Sequence, residues 1–262
     1  PRADHPFGTS NHIIQFEDSF LELVGIKNYD QVVEHDGEKF SFGAFNRDYL
    51  FKSDGFSMVA LKSDDWCEDR ERLISKGLQV AAPFEFSRKL QEFGGNDEKL
   101  AFKLTYVGNN IETNLKFFTC YHDHPRENFF KHEFQKHQNT AYKIQEVLMI
   151  AESPGDHLDF MQRLFTQSLV LKDGLDLLIR SKTMRYRVLS STSILNWFPR
   201  IEALPVGKNI KGIGCCVLVD DLVAIKDIFS INNVAFKEEQ NRIWLEPKTN
   251  FGTLIQFSTN NP

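Results

Sequence analysis

Four cysteines in 262 residues, none in CxxC spacing, exclude a disulfide-stapled scaffold, a zinc ribbon and a dithiol redox pair. Cys215 and Cys216 are neighbours in a strand-like run, where successive side chains face opposite ways, so a bridge between them is ill placed. Four free thiols in a reducing compartment, the cytoplasm, are expected. Basic residues are in the minority, 31 against 36 acids, for a net charge of -5. That balance gives no electrostatic footprint for nucleic acid or an anionic membrane. No apolar run approaches the roughly 18 residues of a spanning helix, and no signal-peptide pattern opens the chain. The chain begins at Pro1, which leaves room for an upstream segment. A nucleophile elbow, a P-loop, a GxGxxG turn and an ordered Ser-His-Asp set are also missing.

What is abundant is phenylalanine, 24 of the 33 aromatic residues, and so many large, apolar, β-favouring side chains point to sheets with thick cores. A repeat orders them. From Gly55, FSMVALKSD reads as a buried strand, DWCEDRERLISKG as an amphipathic helix closed by Gly77, and LQVAAPFEF as a second strand. From Gly212 the order recurs in GIGCCVLVD, DLVAIKDIFSINN and VAFKEEQNRIWLEP. Asp64-Asp65 and Asp220-Asp221 stand at the two strand-to-helix junctions, where an acid caps free amides. A third copy opens near Tyr142 with KIQEVLMIAE, then SPGDHLDFMQRLF with Ser153 as cap and Pro154 just inside, then a hairpin turning at Asp173-Gly174. With the strands that follow, each unit is strand, helix and three strands. The segment before Gly55 holds only the closing part, GTSNHIIQF, a turn at Glu17-Asp18 and SFLELVGI. The reading is an α+β chain of four βαβββ modules in two pairs, 1–139 and 140–262, with the first module lacking its opening strand and helix.

Specific residues then resemble a family. DHPFGTSNHIIQFEDSFLELVGI, Asp4 to Ile26, resembles the HPxGTxN...YLEL signature of glyoxalase-like proteins of the vicinal oxygen chelate superfamily. Ser41–Leu50 and Phe117–Asn139 are similar to segments of its bacterial members. The resemblance implies paired modules in half-open, cupped sheets. It also implies a pocket that often holds a divalent metal chelated by two adjacent oxygens of a substrate or intermediate, with lyase, isomerase or dioxygenase chemistry.

Glu22 shares a strand face with Phe20 and Val24, while Leu21 and Leu23 cover the other, so it is expected in a cavity as a ligand or substrate contact. The resemblance implies that its carboxylate is a metal ligand. The alternative is a strand-end glutamate reaching water or an arginine such as Arg47. His5 and Asn11 frame the GTSN turn and are candidate substrate contacts, Asn11 by orienting a ligand's oxygens; the alternative for both is turn chemistry, with Asn11 bonding to backbone and His5 solvated. His12 faces away from Asn11. His122 and His124, in CYHDH, are further candidates, His122 as a catalytic group and metal ligand and His124 as a substrate contact, against a solvated loop. Imidazole plus carboxylate suits Zn, Fe, Ni or Mn. By the resemblance, a second ligand carboxylate falls at Cys120 or Tyr121, and an opening-strand histidine at Phe56-Ser57-Met58, so the ordinary metal set is incomplete. Arg47 can hold a carboxylate or phosphate substrate, or pair with Asp48 or a nearby acid.

Two functional expectations follow. One is an enzyme acting on a small oxygenated molecule, with a metal or polar groups stabilising an enediolate-type intermediate through Glu22 and His122. The other is a metal-free module that binds or sequesters a small apolar or aromatic ligand. The expected partner is a small molecule, with no nucleic acid or membrane, and a homodimer is compatible with either. The second module pair is expected to be structural or a docking surface.

Overall fold

Asp65 and Asp221 cap their helices as the repeat requires. Asp65 Oδ1 accepts from the backbone N–H groups of Cys67 at 2.9 Å and Glu68 at 3.0 Å, and Asp221 Oδ1 accepts from that of Val223 at 2.7 Å. The computed structural model describes residues 2–37, 39–89, 99–108 and 115–259. It divides into two compact units, 1–14 with 21–52 and 57–132, and 15–20 with 53–56 and 133–262.

In the first unit, β1 (Arg2–Asp4), β2 (Thr9–Gln15) and β3 (Phe20–Ile26) form a sheet in that order, followed by helix α1 (Phe42–Lys52). Then come β4 (Met58–Ser63), α2 (Trp66–Ser75), β5 (Phe84–Lys89), β6 (Lys99–Val107), β7 (Lys116–His122) and the short α3 (Arg126–Phe129). The second sheet has the order β4-β7-β6-β5, with β4 and β7 parallel and the other pairs antiparallel. That is one complete module, its opening and closing strands side by side. The β1-β2-β3 sheet has the three closing strands of another and, among the described residues, no opening strand or helix.

The second unit runs β8 (Ala141–Ile150), α4 (Leu158–Leu164), β9 (Leu169–Asp173), β10 (Asp176–Arg180), β11 (Arg185–Leu189) and α5 (Ser191–Trp197). It continues with β12 (Lys211–Val219), α6 (Leu222–Ile231), β13 (Lys237–Glu239), β14 (Arg242–Leu245) and β15 (Leu254–Ser258). Its eight strands are ordered β13-β14-β15-β12-β8-β11-β10-β9, an open sheet. β8 pairs parallel with β11, β12 parallel with β15, and β8 antiparallel with β12, so two complete modules meet along their opening strands. Gly214, with φ at +154°, makes β12's close approach feasible, because a Cβ there would overlap the Leu254 carbonyl oxygen. Leu148, Ile150, Leu189, Phe198 and Trp244 lie in one buried cluster on a face of this sheet.

The expected opening strands and following helices of the three complete modules are all found, and the architecture is the expected α+β one. Several details differ. Ser153 makes no cap hydrogen bond, and a 3-10 turn over Pro154–His157 precedes α4. The strand expected from Leu78 begins only at Phe84; Val80 makes one isolated bridge to Val107, and Pro83, lacking an N–H, interrupts the ladder. β3 is not covered on both faces, since Leu23 is half exposed. All four cysteines are free. Among the described residues, no helix is long and apolar enough to cross a membrane.

Candidate active site

The β1–β2 turn is held by two reciprocal features. The backbone N–H of His5 donates to Thr9 O at 2.9 Å, and the carbonyl of Gly8 accepts from Lys27 and Asn28 at 2.9 and 3.0 Å. Gly8 has φ at +82°, and a Cβ on it would press into the Asn28 carbonyl. This turn packs His5 against three phenylalanine rings, stacked on Phe7 at 5.0 Å and edge-on to Phe42 and Phe86 at 5.8 Å. His5 is therefore buried rather than solvated, with its Nδ1 2.8 Å from Thr9 Oγ1. Burial first, and then the nearby Arg88 charge, lower its pKa to about 4, which keeps the imidazole neutral at physiological pH.

Alternation along β2 and β3 turns Asn11 and Glu22 to each other. Asn11 Nδ2 donates to Glu22 Oε1 at 2.6 Å, and His5 Nε2 lies 3.9 Å from the same oxygen. His12, on the other face of β2, is exposed. The Glu22 side chain is 26% accessible, so solvent reaches it, yet burial raises its pKa, opposed by the Asn11 amide and the charge of Arg88. Asn11 Oδ1 is buried and has no hydrogen-bond partner among the described residues. Cys120, pushed up to about 12, and Tyr106, raised well above its ordinary value, both owe their shifts first to burial, and both also feel the Glu22 charge.

Arg88 was not among the residues singled out in the sequence. It follows Phe84 and Phe86 at two-residue intervals on β5, so all three share a face, and that face meets Phe7 at 5.3 and 5.4 Å. Burial lowers its pKa and the Glu22 charge raises it. No hydrogen bond or ion pair within 4 Å engages its guanidinium among the described residues. The pattern Phe-x-Phe-x-Arg was the available signal.

Arg47 lies elsewhere, on α1. Its Nε donates to Asp48 Oδ1 at 2.8 Å and its two terminal nitrogens grip the Glu34 carboxylate, so the fork expected to hold a substrate or pair with Glu22 is occupied. His122 ends β7 and His124 lies in the loop after it, and both are packed rather than solvated. Their rings are 5.0 Å apart, each is 5.0 Å from Phe102, and both pack against Phe129. Burial lowers both, His122 to about 4. Neither makes an ion pair with Glu22, and among the described residues no three His, Cys, Asp or Glu side chains are placed to hold a metal. At Glu22 a divalent ion would find one carboxylate and one imidazole, an amide N–H aimed at the carboxylate, and the positive charge of Arg88 close by. That donor set does not fit the expected Glu22 and His122 metal pair.

A family model described as a glyoxalase-like domain matches residues 1–165. No curated protein matches. Among solved structures, a hypothetical protein from Staphylococcus aureus is 16% identical over 97% of this chain and 87% of its own, with a TM-score of 0.67. A triple mutant of 4-hydroxymandelate synthase from Streptomyces coelicolor is 8% identical over 97% and 83%, with a TM-score of 0.50. At these identities the likeness shows the fold alone. The family match over residues 1–165, together with the βαβββ order, identifies the chain as a member of the glyoxalase-like domain family of the vicinal oxygen chelate superfamily.

Proposed function

We propose that the protein is an enzyme that moves a proton on a small oxygenated molecule, next to its carbonyl, with Glu22 as the base. The carboxylate takes the proton from carbon, and the C–H electron pair becomes the double bond of an enediolate whose charge collects on oxygen. The Arg88 guanidinium offsets that charge, and Asn11 orients the carboxylate. The proton then returns from Glu22 to the same carbon, or to the adjacent carbon when the hydroxyl proton of the enediolate passes to the neighbouring oxygen. The observation that carries this reading is the state of Glu22: reachable from solvent, bonded by an amide, raised in pKa, and under the charge of a guanidinium that makes no hydrogen bond or ion pair among the described residues. A raised carboxylate is a better match to a carbon acid near neutral pH than an ordinary one.

The rings of Phe7, Phe42, Phe84 and Phe86 beside His5 favour a substrate with an apolar or aromatic body. They also support the second reading, a module that only binds such a molecule. Proton NMR in D2O separates the two. Aryl- and alkyl-substituted 2-hydroxy ketones and 2-oxo acids should lose the signal of the hydrogen beside the carbonyl when the protein is present, and Glu22→Gln should slow that loss by about 10³-fold. Exchange that proceeds equally in the wild type, Glu22→Gln and Arg88→Met would overturn the enzyme reading.

A further inference from the structure

The reaction proposed above gives His5 no role, yet each of its ring nitrogens faces a polar atom. Nδ1 lies 2.8 Å from Thr9 Oγ1, and Nε2 lies 3.9 Å from Glu22 Oε1. The ring is held in that orientation by Phe7, stacked on it at 5.0 Å, and by Phe42 and Phe86, edge-on at 5.8 Å. A neutral imidazole carries one N–H, so the nitrogen that bears it decides what Glu22 meets.

The two tautomers treat the carboxylate oppositely. With the proton on Nδ1, Thr9 Oγ1 accepts it, and the Nε2 lone pair is turned to an anion that repels it. With the proton on Nε2, the positive end of an N–H dipole faces Glu22, and Nδ1 then needs a donor. Thr9 can be that donor. Its side chain is wholly buried, and its hydroxyl has no partner but His5 among the described residues, so nothing competes for its proton. The Thr9 carbonyl also accepts from the His5 backbone N–H at 2.9 Å, which keeps the two residues opposed across the turn.

The surrounding charges do not override this choice. Arg88 on β5 and Asp4 on β1 act on His5 with opposite signs, and burial keeps the ring neutral. Glu22 feels the Asn11 amide on β2 and the charge of Arg88. Tyr106 on β6 and Cys120 on β7 are kept protonated by burial and bring no charge of their own.

We propose that Thr9 is a positioning residue for the base: its hydroxyl donates to His5 Nδ1, holds the imidazole as the Nε2–H tautomer, and so turns a neutral N–H dipole toward the Glu22 carboxylate. At 3.9 Å this N–H is too far for a hydrogen bond and close enough to steady the charge. It supplements the Asn11 amide without adding a cation that would fix Glu22 in its ionised state. The role rests on the reading of Glu22 as the base, and it adds how the state of that base is set.

NMR of the free protein tests it without a substrate. In protein carrying 15N-histidine, long-range proton–nitrogen correlation at pH 8 should show Nε2 protonated and Nδ1 bare in His5, assigned by the signal lost in His5→Phe. In protein carrying carboxyl-13C-glutamate, Glu22 is assigned by the signal lost in Glu22→Gln, and it should titrate at higher pH in His5→Phe than in the wild type. Thr9→Val keeps the side-chain shape and removes the hydroxyl, so it should mix the His5 tautomers and move Glu22 in the same direction by less. Thr9→Ser should restore both readings, which a merely space-filling role would not require. The Nδ1–H tautomer in the wild type, or a Glu22 titration unmoved in both His5→Phe and Thr9→Val, would overturn the proposal. These signals do not depend on turnover, so failure here is distinct from failure of deuterium exchange, which overturns the enzyme reading itself.

Discussion

Glu22 and Glu146 are both carboxylates set into sheet faces, and the two units treat them in opposite ways. Glu146, almost wholly buried, is met by the Arg187 guanidinium at 2.9 Å, with Arg185 at 3.5 Å. Glu22 has an amide at 2.6 Å and an imidazole at 3.9 Å that stays neutral, while Arg88 acts on it only from a distance. A guanidinium in contact commits a carboxylate to its charge, because releasing the charge would leave a buried cation alone. An amide makes no such demand. The contrast therefore separates a carboxylate held by guanidinium groups from one held by an amide and a neutral imidazole, on grounds of partner chemistry rather than burial.

The same isosteric change should break this comparison if it is wrong. Glu146→Gln leaves Arg187 and Arg185 short of a counter-charge and should destabilise the second unit by about 3 kcal/mol, read from urea unfolding. Next in size is a pH effect in the first unit. His5 has its folded pKa lowered from 6.5 to about 4, so the unfolded chain takes up protons first as pH falls. Stability is full above pH 6.5 and is lost toward pH 4. The loss from His5 alone should be about 2 kcal/mol between pH 7 and pH 5, and His122, lowered likewise, adds to it in the same direction. His5→Asn should flatten the pH profile, and a profile unchanged by that substitution would remove His5 from the account.

Glu22→Gln should go the other way from Glu146→Gln. With a raised folded pKa, Glu22 favours the fold below its unfolded value and opposes it as pH rises through the folded one. The amide should therefore be the more stable form at pH 8 and lose that advantage at pH 4, as seen by thermal melts at the two pH values. The smallest effect concerns the matching caps. Asp221→Ala and Asp65→Ala should each cost about 0.5–1 kcal/mol, and the Asp65 change should cost the more, since that side chain serves two amides and Asp221 one.

The modules were legible because their signals are local: an acid at the strand end, a helical stripe after it, a glycine or turn beyond. α1 and α5 escaped for the same reason. Residues Phe42 to Asn46 are buried one after another, which erases any stripe, and each helix begins at a serine rather than an acid, Ser41 and Ser190 accepting from the amides of Ala44 and Ser193. Strand alternation alone was enough to turn Asn11 toward Glu22. It could not foresee that Glu34, thirteen residues before Arg47, would close on its guanidinium, or that Phe102 and Phe129 would enclose His122 and His124. The meeting of Glu146 with Arg185 and Arg187 is likewise invisible without the parallel register of β8 and β11, because about forty residues separate the partners in sequence.

β8 has a consequence for how the chain comes together in time. Its partners are β11 and β12, so it waits, while α4, β9 and β10 emerge and fold, before either edge is covered. Such late, non-local pairing is slow, and a waiting strand that ends in Val147-Leu148-Met149-Ile150 is a hazard for association with other chains. Glu146 sits immediately before that run. Until Arg185 and Arg187 arrive, its unpaired charge repels a like strand laid in register, so the ion that costs the finished sheet its apolar purity acts as a gatekeeper while the sheet is still unmade.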